Sequence, residues 1–162
     1  MKTKLCLPLL LASLGLILSG CNFDLPLTAK ATRPVNEQLV GDWLSVDTDA
    51  AKVVRMNVRM LDEGTYAVAY DGDLYRAFHS DFAGLPLVSV QDLNSGDRKY
   101  SYFHWQLSAD GNHLSLKGVS TRVVPDTTKD RDAIQKLIKQ NLSNPELYGE
   151  EMVFSRKQAA RR

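Results

Sequence analysis

The chain is short of the residues that most often carry chemistry. It has two cysteines in 162 residues, Cys6 and Cys21, so at most one disulfide can form and stability must come from a core. It has three histidines, His79, His104 and His113. None has a second histidine or a cysteine at metal-ligand spacing, which leaves no metal site to expect. No glycine-rich loop is present to cradle phosphate, and no nucleotide or other cofactor is implied. Asp71-Gly72-Asp73 is too short for a calcium loop, lacks the later glutamate and reads as a turn. Charge of neither sign dominates, with 20 basic against 19 acidic residues. That balance excludes the dense basic footprint of a nucleic-acid binder. Internal repeats and low-complexity stretches are absent.

One long apolar run exists, Leu5 to Leu18, preceded by Lys2 and Lys4. At roughly 14 residues it is too short for a permanent span, which takes about 20, and Pro8 and Gly15 weaken it as a helix. A charged start, an apolar middle and small residues at the end are the layout of a secretory signal. The run closes on Leu18-Ser19-Gly20-Cys21, which resembles the lipobox of bacterial lipoproteins. The resemblance implies that residues 1–20 are a signal peptide and that the Cys21 sulfur carries lipid, including palmitate-type chains. Membrane lipid would then be the first partner. An ordinary secretory signal with an incidental Cys21 is the alternative. Asn22 and Phe23 depart from the aspartate that retains enterobacterial lipoproteins in the inner membrane, which implies the outer membrane, facing the periplasm.

Removing 20 of the 162 residues leaves 142, one ordinary domain, with 18 basic and 19 acidic residues. Residues 21–36 contain Pro26 and Pro34 and read as an extended, mobile, lipid-anchored tether. The basic group Arg156, Lys157, Arg161 and Arg162 reads as a solvated end, with 158–162 a disordered tail.

Between them, alternation of period two dominates. Val54, Met56, Val58 and Met60 alternate with Arg55, Asn57 and Arg59, as a strand with one wet face requires. Asp62-Glu63-Gly64, Asp71-Gly72-Asp73, Asn94-Ser95-Gly96-Asp97 and Ala109-Asp110-Gly111-Asn112 punctuate further strands over 65–70, 74–81, 85–93, 99–107 and 113–118. Turns at roughly ten-residue spacing predict an antiparallel meander that forms a barrel or a sandwich. Ala133, Ile134, Leu137, Ile138 and Leu142 recur at helical spacing, behind a cap at Thr127-Thr128 and Asp130 and before Asn144-Pro145. A last strand follows over 151–156. The fold class is therefore mainly β, with one C-terminal helix before the final strand.

Gly41-Asp42-Trp43 opens the first strand as Gly-x-Trp opens lipocalins, and strands followed by a helix and one more strand are similar to that plan. The resemblance implies that residues 37–157 form a lipocalin-like β-domain. It also implies that Trp43 packs across one barrel end and that an arginine stacks on Trp43; sequence alone does not place that arginine.

No catalytic constellation emerges. His79 and Asp81 share a face, as an acid–base pair would, but no nucleophile accompanies them and a structural role is expected. His104 shares a face with Tyr100, Tyr102 and Gln106, expected to be an exposed sheet face. Of the strand aromatics Tyr66, Tyr70, Tyr75, Phe78, Tyr100, Tyr102, Phe103 and Trp105, most are expected to fill the core, and a few line a cavity if the barrel is open at one end. The leading expectation is a non-enzymatic envelope lipoprotein that binds a protein partner. The alternative is a lipocalin-like carrier of a small apolar ligand, which implies an internal cavity of roughly 300 Å³ or more.

Overall fold

The computed structural model describes residues 23–47 and 52–157. The expected signal segment, Cys21 and the tail 158–162 lie outside the described residues. Eight strands run in sequence order around a closed antiparallel barrel: β1 (Gly41–Asp47), β2 (Lys52–Met60), β3 (Tyr66–Tyr70), β4 (Asp73–His79), β5 (Leu87–Asp92), β6 (Tyr100–Leu107), β7 (His113–Val119) and β8 (Tyr148–Arg156). Strand β8 closes the ring on β1 through the pairs Trp43–Arg156 and Leu44–Ser155. Of the two architectures expected, the barrel is the one adopted, and it leaves no open sheet edge.

Alternation sorts the side chains into an inner and an outer set. Met56, Val58, Tyr66, Ala77, Val88, Trp105, Leu114 and Phe154 form the inner core with Leu39 and Trp43. A second core lies outside the barrel wall. There Leu87, Tyr102 and Val119 on the strands meet Ile134 and Ile138 of α1 (Arg131–Gln140). The helix starts where a side chain can cap it, since Asp130 accepts the Ala133 N–H at 2.8 Å. It stops short of the expected end: Asn141 closes the last turn, leaving Leu142 off the helix and 42% exposed. Pro145 then opens a 3-10 turn, Pro145–Leu147, whose start Asn144 caps.

The expected tether is not free chain. Phe23 and Leu27 are both fully buried in the outer core. Phe23 exchanges two backbone hydrogen bonds with Tyr100, at 2.9 and 2.8 Å, and its ring stacks on Tyr102 at 4.4 Å. The following backbone groups find partners on both flanking elements. Tyr102 Oη donates to the Leu25 carbonyl (2.5 Å), Arg131 Nε to that of Pro26 (3.0 Å), and Gln135 Nε2 to that of Leu27 (2.8 Å). The Leu27 N–H donates to Ser89 Oγ (3.0 Å), and Thr28 Oγ1 to Ser80 Oγ (2.8 Å). A segment that makes side-chain bonds instead of a regular ladder tolerates Pro26, which lacks a donor.

This strap runs the length of the barrel. It starts beside Tyr100, at the β6 end nearest the 93–99 turn. It passes Ser89 and Ser80, and reaches the opposite end where Thr32 N–H meets the His79 carbonyl (2.9 Å) and Val35 N–H that of Glu63 (2.9 Å). There the 3-10 turn Glu37–Leu39 leads into β1. Residues 33–40 therefore cross one end of the barrel and close it.

At that closed end Trp43 is fully buried, and Trp43 Nε1 donates to the Leu39 carbonyl at 3.0 Å. The Arg156 guanidinium lies over the Trp43 ring, 4.2 Å from its centroid. Arg156 also donates to the carbonyls of Gly111 (2.9 Å), Val40 (3.0 Å) and Gln38. Arg156 is thus part of the fold and not of a solvated basic end. Gly41 has a reason as well: with φ of 154°, a Cβ there would meet Arg156 Nη1 at 2.5 Å. Gly41, Trp43 and Arg156 form one packing unit.

Candidate functional site

The barrel interior is not packed solid. An apolar cavity of about 190 Å³ runs through it, which corrects the expectation that aromatic side chains fill the space. The reason lies in which aromatics point inward. Phe78, Tyr100 and Tyr102 lie on the outer faces of their strands, so the aromatic lining of the interior is Tyr66, Tyr70, Tyr75, Phe103, Trp105 and Phe154, with Trp43 below them. Between these, Val58, Val68, Val90 and Leu116 are too short to meet across the middle, and Met56 and Met152 leave the remainder open.

The two ends of the cavity differ. Leu39, Tyr66, Trp105 and Phe154 floor it next to the Trp43–Arg156 stack. Toward the other end its wall turns polar, with Tyr70, Tyr75, Asp92, Lys99 and Ser101. Neither charge at this end is loose. The Asp92 carboxylate accepts the Asn94 N–H at 2.7 Å, chiefly that bond holding its pKa below the ordinary value. Lys99 binds the Asp24 carboxylate, which Lys129 also approaches at 2.6 Å; the two ammonium groups hold the Asp24 carboxyl below its ordinary range. The β3–β4 and β5–β6 turns surround this mouth.

His79 and Asp81 do not act as a pair. His79 points inward, fully buried, with Nε2 2.7 Å from Tyr66 Oη. Tyr66 Oη accepts the Asn36 N–H at 2.6 Å, so its own proton is free to go to Nε2. His79 Nδ1 then carries the ring proton and has no protein partner. Burial, helped by the charge of Arg33, pushes the His79 pKa down to about 4, so the ring is neutral at pH 7. Asp81 turns instead to Arg33 Nε at 2.7 Å, and that guanidinium lies over Trp105, 5.1 Å from the ring centroid. His79 is a structural strut between the crossing segment and the barrel floor. Ser80 points outward into the Thr28–Ser80–Ser89 hydroxyl chain.

The face of His104, expected to be exposed, is covered at Tyr102, half-buried at Tyr100 and His104, and exposed at Gln106. Tyr102 lies under the Phe23 ring, and His104 meets Tyr148 with ring centroids 5.4 Å apart. Burial lowers the His104 pKa as well. His113 is exposed on the rim. Among the described residues, no group of three or more His, Cys, Asp or Glu gathers to hold a metal ion.

Two elements of the site escaped sequence reading. Val88, Val90 and Asp92 share one face of a strand that was expected, so alternation alone carried the signal for the lining. Arg156 was hidden among its basic neighbours. No family model, curated protein or solved structure matches this chain.

Proposed function

We propose that this chain is a lipid-anchored lipoprotein of the bacterial envelope whose lipocalin-like barrel holds a small, uncharged apolar ligand. The observation that carries the reading is the apolar cavity, about 190 Å³, whose floor of Leu39, Tyr66, Trp105 and Phe154 adjoins the Trp43–Arg156 stack. A cavity of about 150 Å³ lined by apolar side chains is enough to hold benzene, and this one is somewhat larger. It falls below the roughly 300 Å³ of a drug-sized site, so the ligand has on the order of ten non-hydrogen atoms. The lipocalin-like reading is supported by Gly41-Asp42-Trp43 after a 3-10 turn, by the closed eight-stranded ring, and by an arginine on the tryptophan. The envelope reading rests on Leu18-Ser19-Gly20-Cys21. A domain that docks an envelope protein is the competing reading. Its exposed apolar side chains are Val53 and Met60 on β2, Leu61 in the turn after it, Leu74 on β4, Val153 on β8 and Leu142 after the helix; Met60 and Leu61 lie at the closed end and Leu74 at the other.

Methyl NMR of the soluble form, residues 22–162, tests the cavity directly. Met56 and Met152 line it, whereas Met60 is exposed and serves as the internal control. Naphthalene or 1-octanol should shift the Met56 and Met152 methyl signals saturably and leave Met60 in place. Val90→Phe, which fills the middle of the cavity, should abolish the shifts while the barrel stays folded. Unmoved Met56 and Met152 signals at ligand saturation would return the protein-docking reading to first place.

A further inference from the structure

The strap fixes the end of the barrel at which the chain enters the fold. In an up-and-down barrel the turns alternate between ends. The 71–72 and 93–99 turns and the 120–147 connection share one end; the 61–65, 80–86 and 108–112 turns share the other. Residues 33–40 close the second end, and the polar rim of Tyr75, Asp92, Lys99 and Ser101 belongs to the first. The chain enters the described fold at the first end. Phe23 is pinned there by two backbone hydrogen bonds to Tyr100 and by its stacked ring. Asp24 is held by Lys99, itself a rim residue, and by Lys129. Cys21 precedes Phe23 by two residues, a reach of at most about 7 Å.

We infer that the acylated N-terminus seats the barrel mouth-down on the phospholipid surface, so that the apolar cavity opens toward the bilayer. The inference rests on the lipoprotein reading of Cys21 and adds to it an orientation. An anchor joined through a long free tether would let the domain tumble. One joined about 7 Å from a buried, hydrogen-bonded phenylalanine does not. The rim and its neighbours carry both signs in similar number (Lys99, Arg98 and Lys129 against Asp24, Asp92 and Asp97), so the seat comes from the anchor and not from attraction to anionic lipid. The consequence is a route for the ligand: an apolar molecule dissolved in lipid enters the cavity without crossing water.

The test uses the full mature lipoprotein in vesicles of phosphatidylethanolamine and phosphatidylglycerol doped with a headgroup-quenching lipid. A single fluorophore is placed on Gly96→Cys, at the mouth, or on Ala109→Cys, at the closed end; both positions are exposed, and a side chain at Gly96 meets nothing within 4 Å. The two ends are about 20 Å apart along the strands. Quenching should be several-fold stronger for the Gly96 label. A Gly/Ser insert of about 20 residues between Asn22 and Phe23 should remove the difference. Intact mass on the same sample reports the lipid on Cys21. Acylated protein with equal or reversed quenching overturns the orientation alone, as does a difference that survives the insert. Protein without lipid on Cys21 defeats the anchor and the orientation together.

Discussion

Phe23→Ala separates a free tether from a structural strap more sharply than any other single change. Phe23 is fully buried, stacked on Tyr102, and packed into the outer core with Leu27, Tyr102 and Ile134. Removing a buried phenylalanine side chain costs about 3–5 kcal/mol, because lost transfer energy adds to the cavity left behind. The strap holds the outer core from one side only, so the wall it leaves can partly close over the vacated space. The lower half of that range, about 3 kcal/mol, is therefore the expected loss. A substitution in a solvated tether would stay within about 0.5 kcal/mol. Urea unfolding of residues 22–162, followed by tryptophan fluorescence, measures the difference. With a slope of about 2 kcal/mol per molar urea, the midpoint should fall by roughly 1.5 M. The slope itself should hardly change, since the rest of the barrel still unfolds as one unit. A midpoint within about 0.3 M of the parent would refute the strap and with it the orientation inferred for the barrel.

Trp43→Ala should cost about 3–5 kcal/mol in the same assay, because it removes both a buried ring of the inner core and the surface on which Arg156 stacks; an unchanged urea midpoint would contradict the closed-end unit. The neutral His79 makes stability depend on pH. Its folded pKa lies near 4, below the ordinary 6.5, so the unfolded chain binds the extra proton between those values. Its contribution is therefore complete above pH 6.5 and falls by up to about 3 kcal/mol as pH drops toward 4. His79→Gln should flatten that part of a stability–pH curve, and an unaltered curve would show that His79 does not titrate as its burial demands. Cys21→Ser should leave uncleaved precursor without lipid label, since acylation precedes cleavage in the lipoprotein reading; normal processing of the serine variant would refute that reading.

The barrel was legible because its inner and outer faces follow strict alternation. Met56, Val58 and the Tyr66 to Tyr70 run fall on the faces their period predicts, whereas Met60, expected on the apolar face, is 57% exposed at the end of β2; turn residues marked nearly every reversal. The capped helix was legible for the same kind of reason: Asp130 and the Ile134–Ile138 spacing are local signals. Closure of the sheet was not, since the pairing of β1 with β8 joins residues more than a hundred positions apart. Arg156 was unreadable for a related cause. Its worth depends on Trp43 and on the space left by Gly41, both distant in sequence, whereas its neighbours Lys157, Arg161 and Arg162 gave it the look of a solvated end.

The strap shows where composition misleads. Phe23, Leu25 and Leu27 do alternate with Asp24, Pro26 and Thr28, but two prolines and a position just after the lipobox-like Leu18-Ser19-Gly20-Cys21 favour reading the segment as linker. Proline argues against a central strand, where every N–H is needed by the ladder. It does not argue against a segment whose carbonyls are taken by Tyr102, Arg131 and Gln135 and whose N–H groups bond only at intervals. Packing on the outer wall also requires apolar groups on the barrel's outside, and Leu87, Tyr102 and Val119 supply them where a free-standing barrel would carry polar residues. The outward aromatics and the strap are thus one design. Tyr102 spent on the outer core is an aromatic ring absent from the interior, and the open volume between Val68, Val90 and Met152 follows from that choice. The same segment that straps the outer wall therefore accounts for a cavity in the barrel.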